Sequence, residues 1–558
     1  MLNQPVAGCQ SDEMSTLSRT RPQPHTHVTW WHSLVFVCAV VLVAVTVIVD
    51  PRSNGQVPAA HSITYRIVDA NSGLPLDGAS VTVGGQSLLS GSDGLVTMPI
   101  ANVAQDLTIR LNGYAPVTGS AGPDSPHNQQ IPLSIAPPTA TATEVPPTAT
   151  AQPTVTNTPQ DVDEGDSFAG AVVDAGGNAI VGAMVRIGGE YTLTDDDGRF
   201  SMEYGGGSNH AMVSASGYAD AKVRIARDST ITLDRFMVKA VYLNGTAAGY
   251  NDVVDNIINL IDNTELNAVV VDIKDGVVYY DSDIKFFKDA DAVRPTYDAT
   301  DLLDRFHSHG IYVIARQVAF KDPLIAKAHP ELAIKDEDTG KLWLGWSGEP
   351  WVNALDKGLY QPNVDLAAEA GRLGFDEIQY DYIRFPDGDL KGADFGPNYN
   401  DIDKRIGALT TLLTMTHDAL RPIGVKLSAD VFGWMLLVDD DQGIGQRFPD
   451  IAAVVDYISP MVYPSHFPTG SLALDGPPND FPYDTIDISL SLGMKKIPGL
   501  ELRMRPWLQD FTLPNMREYK AADIRDEINA AEDVGSGGWM VWNVDADYVA
   551  GAYKDAGS

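Results

Sequence analysis

The chain from about residue 238 onward alternates short apolar runs with amphipathic segments, and this alternation restricts the possible fold most. Eight runs rich in β-branched and aromatic residues predict strands. They are KAVYLNG from Lys239, NAVVVDIKD from Asn267, GIYVIARQVAF from Gly310, FDEIQYDYI from Phe375, VKLSADVFG from Val425, DYISPMVYP from Asp456, KKIPGLEL from Lys495 and GGWMVWN from Gly537. Helical patterns such as ATDLLDRFHSHG lie between most of them. The alternation therefore predicts a (β/α)8 TIM barrel over residues 238–558.

Two segments before the barrel share one pattern. The first starts at Tyr65 and the second at Gly170. Each has a short strand ending in Val-Asp, a Gly-rich turn, a Gly-Ala pair that opens a second strand, and a closing Gly-Tyr-Ala. Period-two alternation with Asp-Gly and Gly-Gly turns is typical of small antiparallel domains. We predict two small all-β sandwich domains, at residues 61–135 and 167–235.

These paired motifs resemble the carboxypeptidase regulatory-like family of bacterial surface proteins, whose fold is a transthyretin-like sandwich. The resemblance implies that both domains act as spacers or weak binding modules. In the second copy, the run DDDG at residues 195–198 has two interpretations. Its clustered carboxylates suit calcium, but acidic residues before glycine are also good turn formers, and the turn is favoured.

The N-terminal part contains one long apolar run, WWHSLVFVCAVVLVAVTVIV, at residues 30–49. A helix of this length matches a bilayer core of ~30 Å. Arg19 and Arg21 precede the run and only Arg52 follows it closely, which predicts a cytoplasmic tail at residues 1–29. The chain is therefore predicted to be a single-pass membrane protein with its folded domains extracytoplasmic. A cleaved signal peptide is the alternative.

The stretch at residues 136–166 is rich in proline and threonine and has few large apolar side chains. Such a composition cannot form a packed core, so we predict an extended linker between the two sandwiches.

Composition excludes several classes of partner and cofactor. The formal net charge is −35, and such a field repels nucleic acid and anionic lipid. Both cysteines, Cys9 and Cys38, precede the predicted globular domains, so disulfides and cysteine-bound metals are excluded there. We predict no cofactor and no metal site, and the sequence does not tell which proteins are its partners.

Polar and aromatic side chains cluster where the predicted strands end, which is where TIM barrels carry their chemistry. The predicted substrate-binding residues are Asp272, Lys274, Arg316, Arg384, Tyr463, His466, Trp507, Gln509, Trp542 and Asn543. Aromatic rings suit the apolar face of a sugar, and carboxylates and amides suit its hydroxyls. We therefore predict a polysaccharide or oligosaccharide substrate. Taken singly, each residue could equally be structural. An aspartate could cap a helix or turn, Arg316 could form an ordinary ion pair, and Trp507 could be part of the core packing.

Two further residues, Asp381 and Asp430, interrupt apolar runs that otherwise predict buried strands. A carboxylate is costly in a buried parallel strand, and neighbouring strands would bring the two close together. We predict that this pair is catalytic. A metal site is the less favoured alternative, because the spacings of known ligand sets are absent.

Several long blocks of the barrel region resemble a bacterial family of glycosyl hydrolase domains. The blocks are GIYVIARQVAFKDP, GFDEIQYDYIRFP, SADVFG, DYISPMVYPSHF, RPWLQDF and WMVWN, and the resemblance covers the whole predicted barrel. It implies a TIM-barrel fold and a glycoside hydrolase activity. The alternative function is a catalytically inactive glycan-binding or structural surface protein.

A weaker resemblance, to chitinase-like barrels, concerns the end of the fourth strand. Those barrels have alternating aspartates there, then an aromatic residue and the acid glutamate. The same frame in this chain reads Asp376, Gln379, Asp381, Tyr382 and Ile383. Ile383 stands in the place of the glutamate, which excludes that acid and its substrate-assisted mechanism. The pair Asp381 and Asp430 then remains as the candidate for the catalytic carboxyl groups.

The two aspartates are expected to have different catalytic roles. We expect Asp381 to act as nucleophile or base, kept ionised by Arg384 three residues on, and Asp430 as general acid with a raised pKa. Strands ~4.8 Å apart favour the short carboxyl separation of retaining enzymes. The alternative is an inverting reaction, in which the two side chains diverge and leave room for a water.

Overall fold

The computed structural model describes residues 61–69, 79–83, 86–90, 95–100, 105–110, 117–122, 128–133, 167–203, 208–226 and 228–557. The chain divides into two compact units, with the boundary at residues 142 and 143. The predicted tail (1–29), membrane anchor (30–49) and linker (136–166) lie outside the described residues. None of the helices in the described ranges has the length and apolar character needed to cross a bilayer.

The first unit is a sandwich of two small sheets. In the three-stranded sheet, His61–Asp69 lies between Leu95–Ile100, which is antiparallel to it, and Asn128–Leu133, which is parallel. The second sheet has the antiparallel order Gln86–Leu89, Ser80–Val83, Gln105–Arg110, Val117–Ala121. Alternate residues such as Ile63, Tyr65, Val81 and Ile109 form one core between the sheets.

The second unit begins with a module of the same topology. Its three-stranded sheet places Ser167–Asp174 between antiparallel Arg199–Glu203 and parallel Ser229–Leu233. Its four-stranded sheet has the order Glu190–Leu193, Met184–Ile187, His210–Ser214, Ala221–Arg224. Seven strands thus recur in the same order and direction in both modules, as expected for two diverged copies of one domain.

Turn chemistry explains the acidic residues of the second module. The Asp195 carboxylate accepts hydrogen bonds from the backbone N–H groups of Asp197 (3.0 Å) and Arg199 (2.8 Å). These contacts are those of an aspartate that closes a tight turn. Across the described residues, no group of three or more His, Cys, Asp or Glu side chains has the geometry to hold a metal ion.

The rest of the second unit is a closed barrel of eight parallel strands. They are β1 (Val238–Leu243), β2 (Ala268–Asp275), β3 (Tyr312–Val318), β4 (Glu377–Asp381), β5 (Lys426–Phe432), β6 (Tyr457–Met461), β7 (Trp507–Gln509) and β8 (Gly538–Trp542). Each pairs in parallel with the next, and β8 pairs with β1. The prediction of a TIM-type barrel is confirmed.

Nine α-helices of the described chain surround the strands. They are α1 (Asn251–Asp262), α2 (Lys285–Asp289), α3 (Ala299–Ser308), α4 (Pro323–Ala328), α5 (Tyr360–Leu373), α6 (Ile402–Leu420), α7 (Phe448–Ala452), α8 (Pro482–Lys496) and α9 (Ala521–Asp533). Two-residue strands lie at Val277–Val278, Lys335–Asp336 and Ala393–Asp394. Single 3-10 turns lie at Ala247–Gly249, Pro330–Leu332, Lys357–Leu359, Arg421–Ile423, Gly433–Leu436, Pro464–His466, Pro478–Asp480, Glu501–Arg503 and Ala550–Ala552.

Local sequence accounts for these helices. In α3, the Asp298 carboxylate caps the first turn by accepting from the N–H groups of Thr300 and Asp301. Leu302 and Phe306 of the same helix are buried against the barrel, as helical spacing requires.

One predicted strand was misplaced. The seventh strand was expected at KKIPGLEL, but Lys495 and Lys496 are the last residues of α8. Pro498 cannot continue a helix or donate to a sheet, and Gly499 has a φ of 85° that suits the turn following it. The observed strand, β7, is only three residues long and contains no β-branched residue, so its sequence carries little strand signal.

The second sandwich contacts the barrel through the residues that begin two of its strands. The backbone N–H of Gly217 donates to the Tyr457 hydroxyl at 2.9 Å, and the rings of Phe236 and Tyr312 lie 5.7 Å apart. Tyr312 and Tyr457 are the first residues of β3 and β6. The module therefore covers the N-terminal end of the barrel and leaves its C-terminal end uncovered by these contacts.

Candidate active site

A cleft of about 740 Å³ lies at the C-terminal end of the barrel. Its lining begins with Arg316 of β3 and continues through residues that follow the later strands as far as β8. Charged side chains occupy its floor and aromatic rings its walls. In TIM barrels this end carries the catalytic groups.

Arg316 is the central charge of the floor. It is 2% exposed, and its Nη1 donates to Asp272 Oδ1 at 2.6 Å. Its Nε and Nη2 both donate to Asp381 Oδ2, at 3.0 and 2.6 Å. One cation thus joins carboxylates from β2 and β4, and these charge-assisted hydrogen bonds hold both carboxylates in place.

Asp381 is held by a second contact at the end of β4. Its Oδ1 accepts from the backbone N–H of Tyr382 at 2.5 Å. Tyr382 has a φ of 47°, a left-handed conformation that a bulky residue rarely adopts. Such strain is often found where the surrounding structure fixes a functional side chain. Ile383 is fully buried in the apolar core, away from the position of an acid.

Asp430 has a contrasting environment at the end of β5. It is 1% exposed, and its Oδ1 accepts a hydrogen bond from Trp507 Nε1 at 2.8 Å. Burial raises the pKa of Asp430 well above its usual range, and the negative charge of Asp381 raises it further. Arg316 and the Trp507 N–H act in the opposite direction and are outweighed. A carboxyl group of this kind retains its proton to higher pH than an exposed aspartate.

Strand register brings the two aspartates side by side. Tyr380 of β4 pairs with Ala429 of β5. The next residue along each strand is Asp381 and Asp430, so the two carboxyl-bearing positions are neighbours across adjacent strands, which lie ~4.8 Å apart.

Asp272 binds Arg316 on the side away from Asp381 and also accepts a hydrogen bond from Tyr242. Its Oδ2 accepts from the Tyr242 hydroxyl at 2.5 Å, and its Oδ1 pairs with Arg316. Burial raises the pKa of Asp272 to about 6. The Tyr242 ring in turn stacks on Trp542 with centroids 4.0 Å apart, and the Arg316 guanidinium lies 5.0 Å from the Trp542 ring. Asp272 is thus a partner of Arg316 and is not among the lining residues.

An aromatic corner forms one wall. The rings of Tyr463 and His466 have centroids 5.3 Å apart, and each lies within 6 Å of Phe511, at 5.4 and 5.8 Å. His466 Nδ1 lies 3.1 Å from Ser465 Oγ, and burial lowers the pKa of His466. A neutral imidazole next to two rings suits a polar but uncharged ligand such as a sugar.

Most predicted site residues meet in this cleft. The predicted residues that line it are Arg316, Asp381, Arg384, Asp430, Tyr463, His466, Trp507 and Trp542. Lys274 and Gln509 were also predicted to bind substrate but serve the fold. Lys274 Nζ lies 2.8 Å from Asp322 Oδ2 in a buried ion pair. Gln509 accepts from the Ser465 N–H at 3.0 Å and donates to the Phe511 carbonyl at 2.9 Å, which fixes two loops.

Asn543 likewise lies outside the lining, because its amide orders the loop after β8. Its Nδ2 donates to the Asp547 carbonyl at 2.9 Å, and its Oδ1 accepts from the Asp545 N–H at 3.0 Å. The residue is positioned by its own loop rather than by the cleft.

Arg384 has a different partner from the one expected. It pairs with Asp387 at 3.0 Å, and Arg316 is the cation bound to Asp381. The Arg384 guanidinium lies 4.4 Å from the Phe432 ring and 5.1 Å from the Trp351 ring. Sequence proximity was misleading, because the strand end turns at Tyr382 and carries Arg384 into the loop.

Several lining residues had not been singled out from the sequence. They are Trp346, Asp387, Phe432, Gly433, Trp434, Met461, Phe467, Phe511, Thr512, Leu513 and Val544. Most lie in loops beyond the strand ends, where periodicity gives no signal. The dense tryptophans of LWLGWSGEPW, at residues 342–351, were the available clue.

A closed parallel barrel with a carboxyl pair in an aromatic cleft at its C-terminal end is typical of glycoside hydrolases. The chain belongs to the family described as "Putative glycosyl hydrolase domain", whose model matches residues 240–548. The family match confirms the prediction that the barrel is a glycoside hydrolase domain. No curated protein sequence matches the chain.

Many solved structures are similar to parts of the chain, among them the following three. A hypothetical protein from Ruminiclostridium thermocellum is 36% identical over 34% of this chain and 97% of its own, with a TM-score of 0.32. The PgaB (BpsB) glycoside hydrolase domain from Bordetella bronchiseptica is 13% identical over 56% and 95%, with a TM-score of 0.41. The spore cortex-lytic enzyme SleL from Bacillus megaterium is 10% identical over 59% and 75%, with a TM-score of 0.35.

The buried position of Arg316 generates a stability prediction. Arg316→Met leaves Asp272 and Asp381 without their cation, and removal of one partner of a buried ion pair costs about 3–5 kcal/mol. The free energy of unfolding should fall by this amount at pH 8. The deficit should shrink as the pH falls through the raised pKa of Asp272, because a protonated carboxyl no longer needs the cation.

Arg294→Met is the matched control, since Arg294 is 57% exposed and pairs with an exposed aspartate. Its effect should stay within about 1 kcal/mol. Denaturant unfolding of both variants at pH 8 and pH 5 measures the difference. Equal stability of the two variants would contradict the role given to Arg316.

Proposed function

We propose that the barrel hydrolyses glycosidic bonds of a polysaccharide, with Asp381 as nucleophile and Asp430 as general acid. The observation that carries this proposal is the contrast between two neighbouring carboxyl groups. Asp381 is paired with the Arg316 cation, whereas burial and the charge of Asp381 raise the pKa of Asp430. A carboxylate held by a cation, next to a second carboxyl with a raised pKa, suits the nucleophile and the acid that glycosidic bond cleavage requires.

In the first step, the Asp430 carboxyl donates its proton to the glycosidic oxygen as the bond to the anomeric carbon breaks. An Asp381 oxygen attacks that carbon and forms a glycosyl ester, and the rest of the glycan leaves as an alcohol. In the second step, the Asp430 carboxylate takes a proton from water. The water oxygen bonds to the anomeric carbon, which releases Asp381 and restores the acid.

Asp381 can attack although both of its oxygens already accept hydrogen bonds. Among the residues that the structure describes, the Tyr382 N–H is the one donor to its Oδ1, and a carboxylate oxygen has a second lone pair. The neighbouring strand positions of the two carboxyls favour a direct attack with retention rather than a reaction through an intervening water.

The same hydrogen bonds support a second candidate function. A carboxylate occupied on both oxygens could serve only to hold Arg316, and the cleft would then bind a glycan without cleaving it. The aromatic walls suit either function. Hydrolysis by the wild-type protein distinguishes the two.

Activity of aspartate variants tests the assignment. Asp381→Asn should abolish hydrolysis of a panel of cellulose, xylan, mannan and chitin oligosaccharides by the full-length protein. Asp430→Ala should lower kcat about 10²–10⁴-fold, as expected for loss of a general acid. Aryl glycosides with good leaving groups should restore the rate of Asp430→Ala but not of Asp381→Asn, since such groups leave without protonation.

Asp389→Asn is the matched control, because Asp389 is an exposed aspartate in the loop after β4. It should retain wild-type activity. The reverse rescue pattern would exchange the two roles. An inverted anomeric configuration of the first product, measured by ¹H NMR, would rule out the retaining mechanism.

We also propose that residues 30–49 anchor the protein in the cell membrane, with residues 1–29 cytoplasmic and the barrel outside. The apolar run and the arginines before it support this orientation. The two sandwiches of identical topology, similar to carboxypeptidase regulatory-like domains, and the linker at 136–166 would act as spacers. Mass spectrometry of the membrane-purified protein should find the original N-terminus. A chain that begins after Val49 would show a cleaved, secreted form.

A further inference from the structure

A hairpin at residues 342–352, which we call the β3 hairpin, projects beside the cleft. Backbone pairing joins Leu344 to Pro350. The Gly345 N–H donates to the Glu349 carbonyl at 3.0 Å, and the Gly348 N–H donates to the Gly345 carbonyl at 2.8 Å. Gly348 has a φ of 76°, which only glycine adopts without strain. These bonds define a tight tip that contains Trp346.

Two buried tryptophans fix the base of the β3 hairpin. Trp343 Nε1 donates to the Lys391 carbonyl at 3.2 Å, which ties the hairpin to the loop after β4. The Trp351 ring lies 5.8 Å from the Tyr382 ring, directly after Asp381. The short strands Lys335–Asp336 and Ala393–Asp394 pair just before it. The hairpin is therefore a positioned element with a fixed relation to the catalytic pair.

Trp346 differs from the two tryptophans of the base. It is 82% exposed, yet it lines the cleft. An indole that is this exposed contributes little burial free energy to the fold. Its flat apolar face remains available to a ligand.

The cleft extends away from Trp346 across the barrel mouth. Trp346 and Asp387 follow β3 and β4, whereas Leu513 and Val544 follow β7 and β8. In a closed eight-stranded barrel these two pairs of strands lie on opposite sides. A ligand that contacts both rims must cross the mouth over Asp381 and Asp430.

We propose that Trp346 stacks on a sugar ring of the substrate several units from the cleaved bond, so that the protein cuts within long glycan chains. This proposal rests on the proposed function and names the substrate class of the same cleft. The apolar face of a pyranose fits an aromatic face, and a distant stacking contact selects chains long enough to reach it. Short oligosaccharides occupy only the central part of the cleft.

Binding of oligosaccharides of two lengths tests the proposal. The full-length protein with Asp381→Asn, which removes turnover, is titrated calorimetrically with the disaccharides and hexasaccharides of the cello, xylo, manno and chito series. Adding Trp346→Ala should weaken hexasaccharide binding about tenfold and leave disaccharide binding unchanged. Trp346→Phe should retain most of the affinity, because a smaller aromatic face remains.

Leu344→Ala is the matched control, since Leu344 is 54% exposed on the same hairpin and is not among the lining residues. It should change neither affinity. Equal losses for both lengths, no loss with Trp346→Ala, or no hexasaccharide binding by the parent protein would each overturn the proposal. Length-dependent binding without hydrolysis by the wild type would instead overturn the proposed function and leave the Trp346 site intact. Hydrolysis with an unchanged KM for hexasaccharides in Trp346→Ala would instead overturn the Trp346 site and leave the proposed function intact.

Discussion

The barrel mouth depends on one buried cation. Arg316 is enclosed by protein and shared between Asp272 and Asp381, which come from the strands on either side of it. Removing charges from water is costly, and the pairing offsets that cost only while all three groups keep their geometry. The closed sheet supplies that geometry, because Asp272 pairs in register with Arg316 on the neighbouring strand. Fold stability and site chemistry are therefore coupled through the same side chain.

This cation also separates the behaviour of the two candidate catalytic carboxyls. Asp381 receives both the direct ion pair and a backbone N–H, whereas Asp430 receives a neutral indole N–H and lies fully buried. Burial and the nearby negative charge raise the pKa of Asp430 because each disfavours its ionised form. In the proposed mechanism, a difference in partner, rather than in residue type, thus distinguishes the acid from the nucleophile. Tyr382, whose backbone N–H binds Asp381, has a left-handed φ at this point of the chain.

Much of this architecture could be predicted from the sequence, because parallel barrel strands are buried on both faces and produce apolar runs. Seven of the eight strands were placed correctly, and the interruptions at Asp381 and Asp430 marked the carboxyl pair. The ion-pair partner of Asp381 could not be predicted, because Arg384 is near it in sequence whereas Arg316 reaches it from the neighbouring strand. β7 was missed because three residues without a β-branched side chain carry no periodic pattern. The loop tryptophan Trp346 was missed for the same reason.

Burial, together with the negative charge of Asp381, raises the pKa of Asp430 well above its usual range. ¹³C NMR of aspartate carboxyls, with Asp430 assigned by substitution, measures this directly in the wild type and in Asp381→Asn. The account predicts that Asp430 titrates well above the ordinary value of about 3.9. It also predicts that Asp381→Asn lowers this pKa, because the neighbouring negative charge is removed while Arg316 stays. An ordinary pKa for Asp430 in the wild type, or one unchanged in Asp381→Asn, would contradict it.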